Sequence, residues 1–63
     1  MFTKIIQEII KSGLTESEIA DLLSTSQPTI NRIRNGKQEP KGELAMAIVE
    51  LRRKRNRAFN KVA

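Results

Sequence analysis

Phe2, Ile5, Ile6, Ile9 and Ile10 recur three and four residues apart, the spacing of one helix face, and leave Lys4, Gln7, Glu8 and Lys11 on the other. The pattern stops at Ser12-Gly13, where glycine supplies a left-handed cap. Similar short helical patterns follow, and no stretch alternates as a strand does. Helices this short are marginal alone in water, so they must pack on one another. The first is expected over roughly residues 3–12, with Thr3 as its N-cap. Its four isoleucines are modest helix formers, so tertiary packing has to hold it. A chain of 63 residues buries only about 60% of the surface its unfolded form exposes. It has no cysteine and no histidine, so it cannot form a disulfide and is poorly equipped for a zinc staple. The expected fold is all-α, one domain over residues 1–63, with pairing to a second copy as a reasonable supplement.

Thr15-Glu16-Ser17-Glu18 has the form of a capping box, in which the threonine oxygen takes one backbone N–H and Glu18 reaches back to another. Leu14 and Ile19 flank it as a hydrophobic staple. Ile19, Ala20, Leu22 and Leu23 supply a buried face, and the helix should end near Leu23. After Ser24 and Thr25, Ser26 is the expected cap of a third helix, with Pro28 in its first turn. A residue before proline resists the helical region, so Gln27 is a second candidate for that boundary. Asn35-Gly36 ends the third helix, and residues 37–41 read as a loop. A fourth helix begins near Gly42 or Glu43 with the stripe Leu44, Ala47, Ile48 and Leu51. It runs into RRKRNR, residues 52–57, where it either leaves the core as an exposed helix or frays.

Charge is unevenly spread. Residues 1–31 set two lysines against four carboxylates, net −2, whereas residues 32–63 set ten lysines and arginines against three glutamates, net +7. A basic half suits a polyanion partner, although the same charge also serves as a solvated surface. The longest near-apolar run, residues 44–49, is far too short to cross a bilayer. The first ten residues carry Glu8 within their apolar stretch and do not read as a signal peptide. Scattered carboxylates on helix surfaces, without His or Cys, argue against an enzyme.

The spacing of the second and third helices fits a helix-turn-helix: two short helices, a connection of three or four residues, and the small Ala20 at the crossing, where Ile19 and Leu23 meet Ile30 and Ile33. Any angled helix pair in a small all-α domain is the plainer reading. With Ile30 and Ile33 pointing inward, a turn of 100° per residue directs Asn31 and Arg32 outward, with Pro28 and Asn35 on the same side and Gln27 at its edge. Amides of Gln and Asn pair with adenine edges and arginine forks onto guanine. Gln27, Pro28, Asn31 and Arg32 are therefore the candidate base contacts, Pro28 by apolar contact alone. Thr29 points toward the second helix and reads as packing.

Residues 14–40, LTESEIADLLSTSQPTINRIRNGKQEP, resemble the helix-turn-helix of phage Cro and repressor proteins and the wider xenobiotic-response-element regulators. Leu14-Thr15, Glu18-Ile19-Ala20, Leu23, Ser26-Gln27, Thr29-Ile30, Arg32-Ile33 and Asn35-Gly36-Lys37 carry the resemblance, and Pro40 closes it. It implies a lambda-repressor-like domain of four or five helices and dimeric binding to a near-palindromic double-stranded DNA operator. The implied role is transcriptional regulation, most simply repression, in the cytoplasm of a bacterial or phage-infected cell. By the same resemblance Gln27, Pro28 and Arg32 touch bases, Ser26 and Asn31 touch bases or phosphate, and Asn35 and Lys37 touch phosphate, with exposed N–H groups after the third helix helping. Lys41 in the following loop joins this phosphate set. Arg34, Arg52, Arg53 and Arg55 are further candidates for DNA contact. No cofactor, metal, small-molecule ligand or membrane partner is implied.

Two departures stand out. Ser24 occupies the turn position usually given to glycine, where a left-handed backbone is costly. Glu16 stands where the family often presents an amide or a basic group to phosphate. After Pro40 the match weakens, so the family's dimer contacts do not carry over. RRKRNR either grips phosphates beside the groove or forms a solvated end. Phe59 and Val62 either fold back on the core or meet a second subunit. An antitoxin-like protein-interaction module on the same scaffold is the rival function.

Overall fold

A computed structural model describes the backbone of residues 2–62 and the side chains of residues 2–57. Four helices follow in order: α1 (Phe2–Lys11), α2 (Glu16–Leu22), α3 (Gln27–Arg34) and α4 (Gly42–Val62). No strand occurs among the described residues. The all-α expectation holds, with four helices rather than five. α1 packs against both α3 and α4, and α2 packs against α3. Ile6, Ile9, Ile19, Ile30, Ile33 and Ile48 meet in the centre with almost no exposure. Burying each such side chain stabilises the fold by roughly 1.5–3 kcal/mol, which offsets the weak helix propensity of isoleucine. Ala20 is buried with them and gives α2 and α3 room to cross closely.

The capping signals for α2 are realised, whereas Leu22, expected on its buried face, is 60% exposed. The Thr15 oxygen accepts from the Glu18 backbone N–H at 3.1 Å, and the Glu18 carboxylate accepts from the Thr15 N–H at 2.9 Å. Leu14 packs on the core that Ile19 enters. At α3, Ser26 is the cap and accepts from the Thr29 N–H at 3.4 Å. Gln27 is nonetheless helical, so the pre-proline restriction does not displace the start. Thr29 is half-buried and shares a 2.8 Å hydrogen bond with the Ser26 hydroxyl.

The expectation for Thr3 needs correcting. α1 already begins at Phe2, and the Thr3 hydroxyl donates to the Ile33 carbonyl at 3.0 Å. It serves the end of α3, not the start of α1, as a second donor to a last-turn carbonyl that also accepts the Gly36 N–H at 3.1 Å.

Helices α2 and α3 end in the same way. After α3, Gly36 sits at φ 75°, its N–H donates to Ile33 and the Lys37 N–H donates to Arg32. After α2, the Ser24 N–H donates to Asp21 and the Thr25 N–H donates to Ala20, but the left-handed position, at φ 56°, is filled by serine. A Cβ there costs about 1–2 kcal/mol, of which glycine's extra unfolded-state freedom returns a part. Ser24→Gly is therefore expected to stabilise the fold by about 1 kcal/mol, a rise of roughly 4–8 °C in Tm for a domain of this size. A thermal melt showing no rise would mean that the turn relieves its strain in another way.

α4 neither frays nor leaves α1 at the basic run. Ile48 is fully buried, while Leu44, Ala47 and Leu51 are half-buried. Beyond them Arg55 donates from Nε to the Ser12 hydroxyl at 2.9 Å and from Nη2 to the Ser12 carbonyl at 2.6 Å. Arg52 reaches Glu8 at 3.5 Å. These contacts carry α4 along α1 where apolar residues run out, and Arg55 also serves a carbonyl just past the end of α1. Phe59 and Val62, expected to fold back or to meet a second subunit, lie outside the residues whose side chains are described. No helix among the described residues is long and apolar enough to cross a membrane.

Candidate nucleic-acid interface

α3 separates its residues cleanly. Ile30 and Ile33 are buried, whereas Gln27, Pro28, Asn31, Arg32, Arg34 and Asn35 are all exposed. Two inward isoleucines hold the helix, and the remaining positions present amides, guanidinium groups and one proline to the outside. Ser26 lies exposed at the N-terminal end with its hydroxyl engaged in the cap. Lys37 and Lys41 are exposed in the connection to α4. Sequence reasoning thus placed nine candidates on α3 or its two flanks, and the helix brings Gln27, Pro28, Asn31 and Arg32 onto its solvent side.

The remaining three candidates sit elsewhere. Arg52 turns to Glu8 of α1 and Arg55 to Ser12 just past its end, and Arg53 lies 3.8 Å from Glu50 of its own helix. Arg55 is the most committed, since two of its nitrogens hold Ser12.

One implied feature is corrected. The backbone N–H groups of Asn35, Gly36 and Lys37 donate to the carbonyls of Asn31, Ile33 and Arg32. They are consumed by the end of α3 and are not free for phosphate. Any phosphate contact there falls to the side chains of Asn35 and Lys37.

Sequence reasoning missed how Glu16 is used. It lies in the first turn of α2, and its carboxylate accepts from Arg34 Nη1 at 2.7 Å. Asn31 Nδ2 lies 3.4 Å from both Glu16 oxygens, and Asn31 Oδ1 accepts from Asn35 Nδ2 at 3.2 Å. The two ends of the pair are 18 residues apart, so no local pattern signals it; only the crossing of α2 on α3 does. An ion pair as open as this one contributes at most about 1 kcal/mol.

Two short helices crossing at a small residue, with a polar outer face on the second, define a helix-turn-helix DNA-binding domain. The helix-turn-helix family model matches residues 5–56, and the chain belongs to that family, as a DNA-binding regulator of the Cro and repressor type. No curated protein and no solved structure matches the chain.

Proposed function

We propose that residues 1–63 act as one DNA-binding unit, a Cro-like transcriptional repressor of the simplest kind: it pairs with a second copy and blocks a promoter by occupying a near-palindromic operator. The observation that carries this reading is the outer face of α3, where four side chains suited to base edges stand exposed on a helix anchored by Ile30 and Ile33. In the complex α3 of each subunit enters the major groove, the two grooves lying roughly 34 Å apart along the duplex. Arg32 forks onto guanine O6 and N7, Gln27 pairs with adenine, and Pro28 contacts a thymine methyl. Asn31 keeps one N–H and an oxygen lone pair beyond its contacts with Glu16 and Asn35, enough for a base or a phosphate. Ser26, Asn35, Lys37 and Lys41 hold the flanking phosphates. Such a regulator works in the cytoplasm and needs no cofactor.

Selection of bound sites from random duplex DNA tests the proposal. The expected winners share a short motif repeated in inverted orientation, with half-site centres about one helical turn apart. Winners with a single half-site would remove the dimer from the reading. A pool that enriches nothing would remove sequence-specific recognition and favour the protein-interaction module.

A further inference from the structure

A carboxylate facing α3 is at odds with a surface meant for a polyanion. Glu16 is held by its neighbours, with a side-chain exposure of 16%, while Arg34 is 45% exposed. A carboxylate and a phosphate offer a guanidinium the same kind of acceptor pair. Glu16 thus occupies Arg34 as a DNA phosphate would, and the same carboxylate lies beside the Asn31 amide that links on to Asn35. Arg32, two residues earlier on α3, makes no ion pair among the described residues.

We propose that Glu16 is an internal stand-in for a phosphate that withholds Arg34 from DNA and so lowers sequence-independent affinity while holding Asn31 in place. The inference rests on the DNA-binding reading. It makes Glu16 a tuning residue of the interface: the basic half of the chain supplies attraction to any duplex, and the carboxylate removes one cation from that attraction at the surface where sequence is read. Two consequences follow. Neutralising Glu16 releases Arg34 to a phosphate, and the gain appears on duplexes of any sequence. The gain also carries a signature that a change in fold does not produce, because each additional phosphate neutralised steepens the dependence of log affinity on log salt by about 0.9.

Affinity of the full chain for a random-sequence duplex, measured by fluorescence anisotropy over a salt series, tests this with wild type, Glu16→Gln, Arg34→Gln and the double variant. Glu16→Gln is expected to bind about three- to tenfold more tightly at low salt, with the slope steeper by about 0.9. In the Arg34→Gln background the same change is expected to leave the slope as it was, since no cation is released. Circular dichroism melts identify folded variants, and the comparison of slopes is made below the lowest melt. If wild type binds and Glu16→Gln leaves slope and affinity unchanged, or weakens binding, the inference is wrong and the DNA-binding reading stands. A steeper slope that persists without Arg34 also overturns it. If neither wild type nor Glu16→Gln binds duplex at low salt, both readings fall together.

Discussion

Ile30→Ala is expected to lower the free energy of unfolding by about 2–5 kcal/mol, the range for truncating a buried branched side chain. Ile30 is 0% exposed and stands with Ile19, Ile33 and Ile6 in the only fully buried cluster among the described residues. Its removal takes away transfer free energy and leaves a cavity between α3 and its neighbours, which close-packed helices fill only in part. A 63-residue domain has roughly 3–9 kcal/mol in all at 0.05–0.15 kcal/mol per residue. One substitution therefore takes a large part of the total, and DNA binding is lost with the fold. The measurement is a urea titration followed by circular dichroism, with Leu22→Ala as comparison. Leu22 is 60% exposed, so its truncation should stay within about 0.5 kcal/mol. Equal midpoints for the two variants would show that α3 is not held by its inward isoleucines, and the outward face argued from them would lose its basis.

What could be read from the chain depended on how far apart the interacting groups lie. The capping box of Thr15 and Glu18 spans three residues, and its residue types have one obvious arrangement. The inward and outward sides of α3 follow from Ile30 and Ile33 by the turn angle of a helix alone. The strained turn at Ser24 was legible once the resemblance showed which position takes the left-handed backbone. The contacts of Thr3 with Ile33 and of Arg55 with Ser12 were not legible, since their partners lie 30 and 43 residues away. A threonine at a chain start looks like a cap, and a run of arginines looks like solvated charge or a grip on phosphate. Each has a donor that tertiary packing can direct to a carbonyl at the end of another helix instead, and no local pattern announces this. The same holds for the N–H groups after α3: a Gly36 turn suggests exposed donors, but its hydrogen bonds fold them back on the helix.

Within the candidate interface, the contrast between Arg32 and Arg34 gives the sharpest test of base reading. Both belong to the last turn of α3 and both are exposed, but Arg34 is paired with Glu16 whereas Arg32 makes no ion pair among the described residues. A free guanidinium on the outer face can fork onto guanine, a contact worth about 1–3 kcal/mol of discrimination. Arg32→Ala is accordingly expected to weaken binding to the selected operator by about 1–3 kcal/mol, roughly five- to 150-fold, while affinity for random duplex falls far less. The base preference at one operator position should relax with it. Because Arg32 is exposed, the variant's stability should stay within about 0.5 kcal/mol of wild type, so lost binding is not lost folding. The measurement is paired affinities on the operator, on single-base variants of it and on a random duplex at fixed salt. Equal weakening on all of them, with a salt slope shallower by about 0.9, would assign Arg32 to phosphate. Sequence reading would then rest on Gln27, Pro28 and Asn31, at the start and middle of the helix.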